Sequence, residues 1–125
     1  MSDGPSFDIP ARPERTFPFH GGVEYEGGST FVLSPRSGQG VDELDGLVEG
    51  VLADGPYRYG DFLNLPMSLW LVKDEGTGDV FRVSVRDDSV RLHVLPETGS
   101  AGLRALYDRL VERTERDWCV DCRVD

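Results

Sequence analysis

Lysine is nearly missing from this chain: Lys73 is the only one, and all basic residues together number 13 against 23 aspartates and glutamates in 125 residues. Nucleic-acid affinity rests on clustered lysine and arginine releasing counterions, so a formal net charge of -10 argues against a nucleic-acid partner and against adhesion to anionic membranes. No apolar run approaches the length of about 18 residues that reads as a membrane span. The first 14 residues lack the basic and apolar blocks of a secretory signal, and a cytoplasmic location is expected. Cysteine and histidine are scarce too, with two of each. Two cysteines cannot build a disulfide framework, and at 38% hydrophobic content a chain of this length buries a core without one.

What the chain has in excess is carboxylate. Acidity combined with so little lysine is the composition of a protein kept hydrated in concentrated salt, where self-repulsion is screened. Residues 1–15 carry Pro5, Pro10 and Pro13 with little apolar pattern and read as an extended arm, folded over the domain edge through Phe7 and Ile9. Residues 16–125 read as one domain. Aromatic and β-branched residues from Thr16 to Leu33, interrupted by Gly21-Gly22 and Gly27-Gly28, predict short strands with a hairpin at the second glycine pair.

Val41, Leu44, Leu47, Val48, Val51 and Leu52 recur at three and four, which predicts an amphipathic helix ended by Gly55-Pro56. Three strands are expected at about 67–73, 79–86 and 89–95. A second amphipathic helix is expected at 100–116, with Leu103, Leu106, Tyr107, Leu110 and Val111 on its buried side. The fold class is therefore α+β: an antiparallel sheet made of an N-terminal hairpin and a C-terminal three-strand meander, with both helices on one face.

Register turns this outline into a candidate site. A two-residue turn at Asp87-Asp88 sets Val85 against Val90, Val83 against Leu92 and Phe81 against Val94, so apolar meets apolar along one face. Carried across the 74–78 loop, the same reasoning pairs Leu71 with Phe81, Leu69 with Val83 and Met67 with Val85. The opposite face then presents Trp70 beside Arg82 beside His93, with Ser68, Ser84 and Arg91 in the next row, and Arg86 near the turn. A basic and aromatic patch in an acidic protein suits a carboxylate, a phosphate or an acidic peptide, with Arg82 stacked on Trp70. The alternatives are that these are solvent-side residues, or that the face is covered by the N-terminal arm or by a second subunit of a homodimer.

Other motifs point elsewhere. Cys119 and Cys122 form the one CxxC, half of a zinc site that would need His20, His93 or another chain to complete it, or else a thiol pair open to redox chemistry. Ser37-Gly38-Gln39-Gly40 precedes a helix but has no Walker lysine, and Asp42 and Glu43 would repel phosphate there. Ser84 and His93 on strand faces lack the strained turn and oxyanion hole of a nucleophilic site, and no catalytic residue is assigned. The readings that remain are a non-enzymatic binding domain, a zinc or thiol-redox protein, and a small enzyme at the Arg82/His93 face.

The stretches Leu65-Pro66-Met67-Ser68-Leu69-Trp70-Leu71-Val72, Asp79-Val80-Phe81-Arg82-Val83-Ser84-Val85-Arg86 and Leu103-Arg104-Ala105-Leu106-Tyr107-Asp108-Arg109-Leu110 resemble small uncharacterised proteins of haloarchaea. The resemblance runs from Leu65 to Leu110. It implies a salt-rich cytoplasm and carries over no activity, cofactor or site residue.

Overall fold

The computed structural model describes residues 7–11, 13–16, 24–35, 40–61, 68–86, 88–114 and 118–124. Its elements are β1 (Glu14–Thr16), β2 (Glu24–Glu26), β3 (Ser29–Pro35), α1 (Val41–Asp54), β4 (Tyr57–Asp61), β5 (Ser68–Asp74), β6 (Val80–Arg86), β7 (Ser89–Val94), α2 (Ser100–Thr114) and β8 (Trp118–Val124). β1 and β2 pair as a small antiparallel ribbon, and the other strands form a six-stranded antiparallel sheet in the order β4-β5-β6-β7-β3-β8. This is the α+β architecture expected. The N-terminal hairpin is β1 with β2, whereas Gly27 and Gly28, expected at its turn, link β2 to β3 in the other sheet.

The apolar stripes of both helices meet one face of the sheet. Leu44, Val48, Val51 and Leu52 of α1 and Leu103, Leu106 and Leu110 of α2 join Phe31, Leu33, Phe81, Val83, Val85, Val90, Leu92 and Val94 in a single buried cluster. The Gly55 amide closes α1 by donating to the Val51 carbonyl at 2.9 Å. At the start of α2 the Gly102 amide donates to Asp79 Oδ2 at 2.7 Å, so a carboxylate from the β5–β6 loop satisfies an N-terminal donor and suits the helix dipole. Phe7 is buried with its ring 5.2 Å from Phe31 and 5.4 Å from Tyr107, and Ile9 is partly buried against the same core. Farther along, Ser29 Oγ donates to the Ala11 carbonyl at 2.8 Å.

β6 and β7 pair in the expected register, Phe81 with Val94, Val83 with Leu92 and Val85 with Val90; Asp87 of the turn lies outside the described residues. β5 does not. Val72, not Leu71, faces Phe81, Trp70 faces Val83, and Ser68 faces Val85; Met67 lies outside the described residues. The cause is the connecting turn. Asp74 and Asp79 close it, the Asp74 amide donating to the Asp79 carbonyl at 2.8 Å, and Asp74 Oδ1 accepts the Gly76 amide at 2.8 Å. Gly78 takes a positive φ of 83°, which a side chain rarely adopts. The loop is thus one residue shorter than the sequence reading assumed, and a slip of one turns every β5 side chain to the other face. Trp70 and Val72 are in the core at 3% and 0% exposure, and Leu71 is outside at 42%.

Candidate functional site

The sheet face away from the helices is built by alternation. On β6 it receives Arg82 and Ser84, between the core residues Phe81, Val83 and Val85, and on β7 it receives Arg91 and His93, between Val90, Leu92 and Val94. Arg82 is paired directly with His93, and Thr30 of β3 lies on the other side of His93. Ser84, paired with Arg91, reaches diagonally so that its Oγ lies 2.8 Å from His93 Nε2. Ser84, only 2% exposed as a residue, thus has its hydroxyl held by a hydrogen bond to the ring.

These three residues line a pocket of about 230 Å³. Pro13, Gly27, Ser29 and Thr30 make one wall, and Leu69, Val94 and Leu95 contribute apolar surface. Thr98 holds that end of the sheet together: its Oγ1 accepts the Leu95 amide at 2.7 Å and donates to the Val80 carbonyl, tying the exit of β7 to the start of β6.

Of the residues expected on this face, the structure brings Arg82, Ser84 and His93 together at the pocket. Arg91 sits one row away, half-buried, with its Nε 3.4 Å from Ser89 Oγ, and Arg86 is exposed at the end of β6. Trp70 is not part of the site. It belongs to the core on the far side of the sheet, so Arg82 and Trp70 lie on opposite faces and do not stack; a cation–π contact is made elsewhere by Arg109 over Tyr57, at 5.4 Å from the ring centre. Leu69 takes the place assigned to Trp70, and Pro13, Gly27, Ser29 and Thr30 carried no signal in the sequence beyond lying near the N-terminus.

The chemistry open to this arrangement follows from its donors. A guanidinium, an imidazole and hydroxyls facing one small space supply charge-assisted and neutral hydrogen bonds to an oxyanion. The Ser84–His93 contact also has the length of a nucleophile–base pair. However, β6 lies between β5 and β7 and pairs with both, so the backbone amides around Ser84 belong to the strand ladders and not to an oxyanion hole.

The CxxC falls on a strand that the sequence reading missed. On β8 Cys119 pairs with Ser34 and Cys122 with Phe31, an odd offset that sends the two thiols to opposite faces. Three steps of about 3.3 Å separate their Cα atoms by about 10 Å, beyond the reach of a disulfide and too divergent for two thiolates of one chain on one ion. Both cysteines are exposed, and burial followed by the charge of Asp121 pushes the Cys122 thiol pKa up. Among the described residues no group of three or more histidine, cysteine or acidic side chains is placed to hold a metal; His20 lies outside them. Ser37, Gly38 and Gln39 also lie outside the described residues. No helix of the described residues is long and apolar enough to cross a membrane. Comparison of the chain with protein-family models, with curated proteins and with solved structures gave no match.

Proposed function

We propose that the protein is a non-enzymatic binding domain that holds a small carboxylate or phosphate in the pocket of the open sheet face. The observation that carries this reading is the convergence of Arg82, Ser84 and His93 on one pocket, with Ser84 and His93 already joined at 2.8 Å. At about 230 Å³ the space is below the ~300–1,000 Å³ of drug-sized sites, which suits a ligand of few heavy atoms and not a peptide side chain with its backbone. Arg82 supplies the charge, the Ser84 and Thr30 hydroxyls and the imidazole supply direction, and Leu69 and Leu95 accommodate a short apolar tail. The salt-rich cytoplasm implied by the charge belongs to the same proposal, because screening removes the long-range repulsion between an anion and an acidic protein.

Calorimetric titration with inorganic phosphate, acetate and succinate at one fixed ionic strength tests the reading. Saturable binding of at least one of them is expected, and Arg82→Gln should weaken it by about 10- to 100-fold, the worth of one hydrogen bond to a charged group. Heats that are non-saturable for all three, or binding indifferent to Arg82, would remove the pocket from the account.

The Ser84–His93 contact favours one second reading, a small hydrolase or transferase in which His93 accepts the Ser84 proton. A fluorophosphonate that leaves Ser84 unmodified under native conditions rules that reading out; stoichiometric labelling would put it first.

A further inference from the structure

β8 closes one end of the six-stranded sheet, and among the described residues no strand pairs with its outer edge. Natural sheets usually blunt such an edge with lysine, proline or a bulge. β8 reads Trp-Cys-Val-Asp-Cys-Arg-Val and has none of these; it pairs with β3 residue for residue over its whole length, from Trp118 to Val124. Its last five residues form a palindrome of properties about Cys122: valine at both ends, and opposite charges on either side of the thiol.

We propose that two copies of the chain join through antiparallel pairing of their β8 edges about a twofold axis at Cys122, giving one continuous twelve-stranded sheet. Two identical antiparallel strands related by such an axis pair residue i with residue 2k − i, where k is the residue on the axis, and directly opposed side chains share a face. With Cys122 on the axis, Asp121 of each copy opposes Arg123 of the other on the open face. Val120 opposes Val124 on the helix face, where Val124 is 54% exposed in the single chain. The alternatives on either side are worse. An axis at Asp121 sets aspartate against aspartate, an axis at Arg123 sets arginine against arginine, and an axis at Val120 leaves neither charge opposite the other within the strand. Within one chain Asp121 and Arg123 make only a long, exposed contact of 3.7 Å, so both charges are available to the second copy.

The same axis sets Cys122 against Cys122 of the second copy, while Cys119 has no thiol opposite it. Cα atoms of directly opposed residues lie about 4.5 or 5.5 Å apart in the two kinds of antiparallel pair, and both fall within the span of a disulfide. Glutathione disulfide is therefore a reporter of register. The Cys122 thiolate attacks it and releases one glutathione thiolate; Cys122 of the second copy then attacks the protein sulfur of the mixed disulfide and releases another. Two protein thiols are oxidised to one disulfide as one glutathione disulfide is reduced to two thiols.

Sedimentation equilibrium of the reduced full chain at one fixed ionic strength at which the monomer is folded, with crosslinking by glutathione disulfide followed on non-reducing gels, tests the proposal. A reversible dimer is expected, crosslinked in wild type and Cys119→Ser and not in Cys122→Ser. Arg123→Asp should raise the dimer dissociation constant about tenfold or more, since it sets like charges opposite one another twice, and the exchange Asp121→Arg with Arg123→Asp should restore it. All these side chains are exposed, so circular dichroism should be unchanged. A chain monomeric at every concentration, a disulfide formed through Cys119, or a charge exchange that fails to restore pairing would each overturn it.

Discussion

Trp70 shows how far one residue's surroundings can be misjudged from its neighbours. In Leu69-Trp70-Leu71-Val72 every residue is apolar, so alternation cannot say which two face the core, and the choice passes to a turn whose length depends on the buried carboxylate of Asp74. Arg82, Ser84 and His93 were legible on one face because their strands alternate strictly, Phe-Arg-Val-Ser-Val-Arg and Val-Arg-Leu-His-Val, so the β6–β7 register follows from the pattern; the diagonal Ser84–His93 hydrogen bond needed the structure. Trp70 and Leu71 now behave in opposite ways. Trp70→Ala should cost about 3–5 kcal/mol, as other large buried aromatics do, and Leu71→Ala about 0.5 kcal/mol or less, both read from urea denaturation midpoints at constant slope. Equal costs at the two sites would return Trp70 to the open face. Tyr57 is another residue whose role only the fold reveals: burial raises its pKa, an effect that the Arg109 guanidinium, donating to its hydroxyl at 3.0 Å, only partly offsets.

Elements with strong periodicity were found where expected, and those without were not. α1 and α2 each carry an apolar stripe over three or more turns and end close to the predicted limits. β4 and β8, the two outer strands, were missed. An outer strand is covered less completely, so its polar and apolar residues mix, and Tyr57 to Asp61 or Trp118 to Val124 reads as loop or as helix exit. The placement of β3 between β7 and β8 was equally illegible, since it joins residues about sixty positions apart on the β7 side and about ninety on the β8 side, and with it went the Pro13–Thr30 wall of the pocket. One junction holds several of these elements together. Asp79 closes the β5–β6 turn and caps α2, and a Cβ at Gly102 would come within 2.7 Å of the Asp79 side chain. Alanine is a better helix former than glycine by about 1 kcal/mol, but overpacking of about 1–3 kcal/mol outweighs it, so Gly102→Ala should lower stability. Asp79→Ala should cost about 1 kcal/mol through the lost cap. Thermal unfolding of both variants decides; a Gly102→Ala protein that melts above wild type would show that α2 does not lean on this carboxylate.

At the scale of the molecule, charge and shape act on different properties. A net charge of -10 destabilises a compact chain of this size in dilute buffer and does so less as salt shortens the Debye length, from about 10 Å at 0.1 M to about 3 Å at 1 M. The melting temperature should therefore rise between 0.1 M and 1 M sodium chloride by several degrees, about 4 °C for each kcal/mol of relieved repulsion in a chain of this length; a flat or falling value would separate the acidity from salt adaptation. The basic residues that remain are not spread evenly. Arg82, Arg86 and Arg91 share the open face with His93 in a chain whose net charge is -10, and the proposed anion site rests on that local gathering of base. That contrast is the centre of the account, and its most direct test is the imidazole of His93, followed by nuclear magnetic resonance during phosphate and acetate titrations at constant ionic strength and assigned with His93→Gln. Saturable movement of the His93 signals in wild type, lost in Arg82→Gln, is predicted. Signals that stay fixed, or that move alike in both proteins, would contradict an anion site on this face.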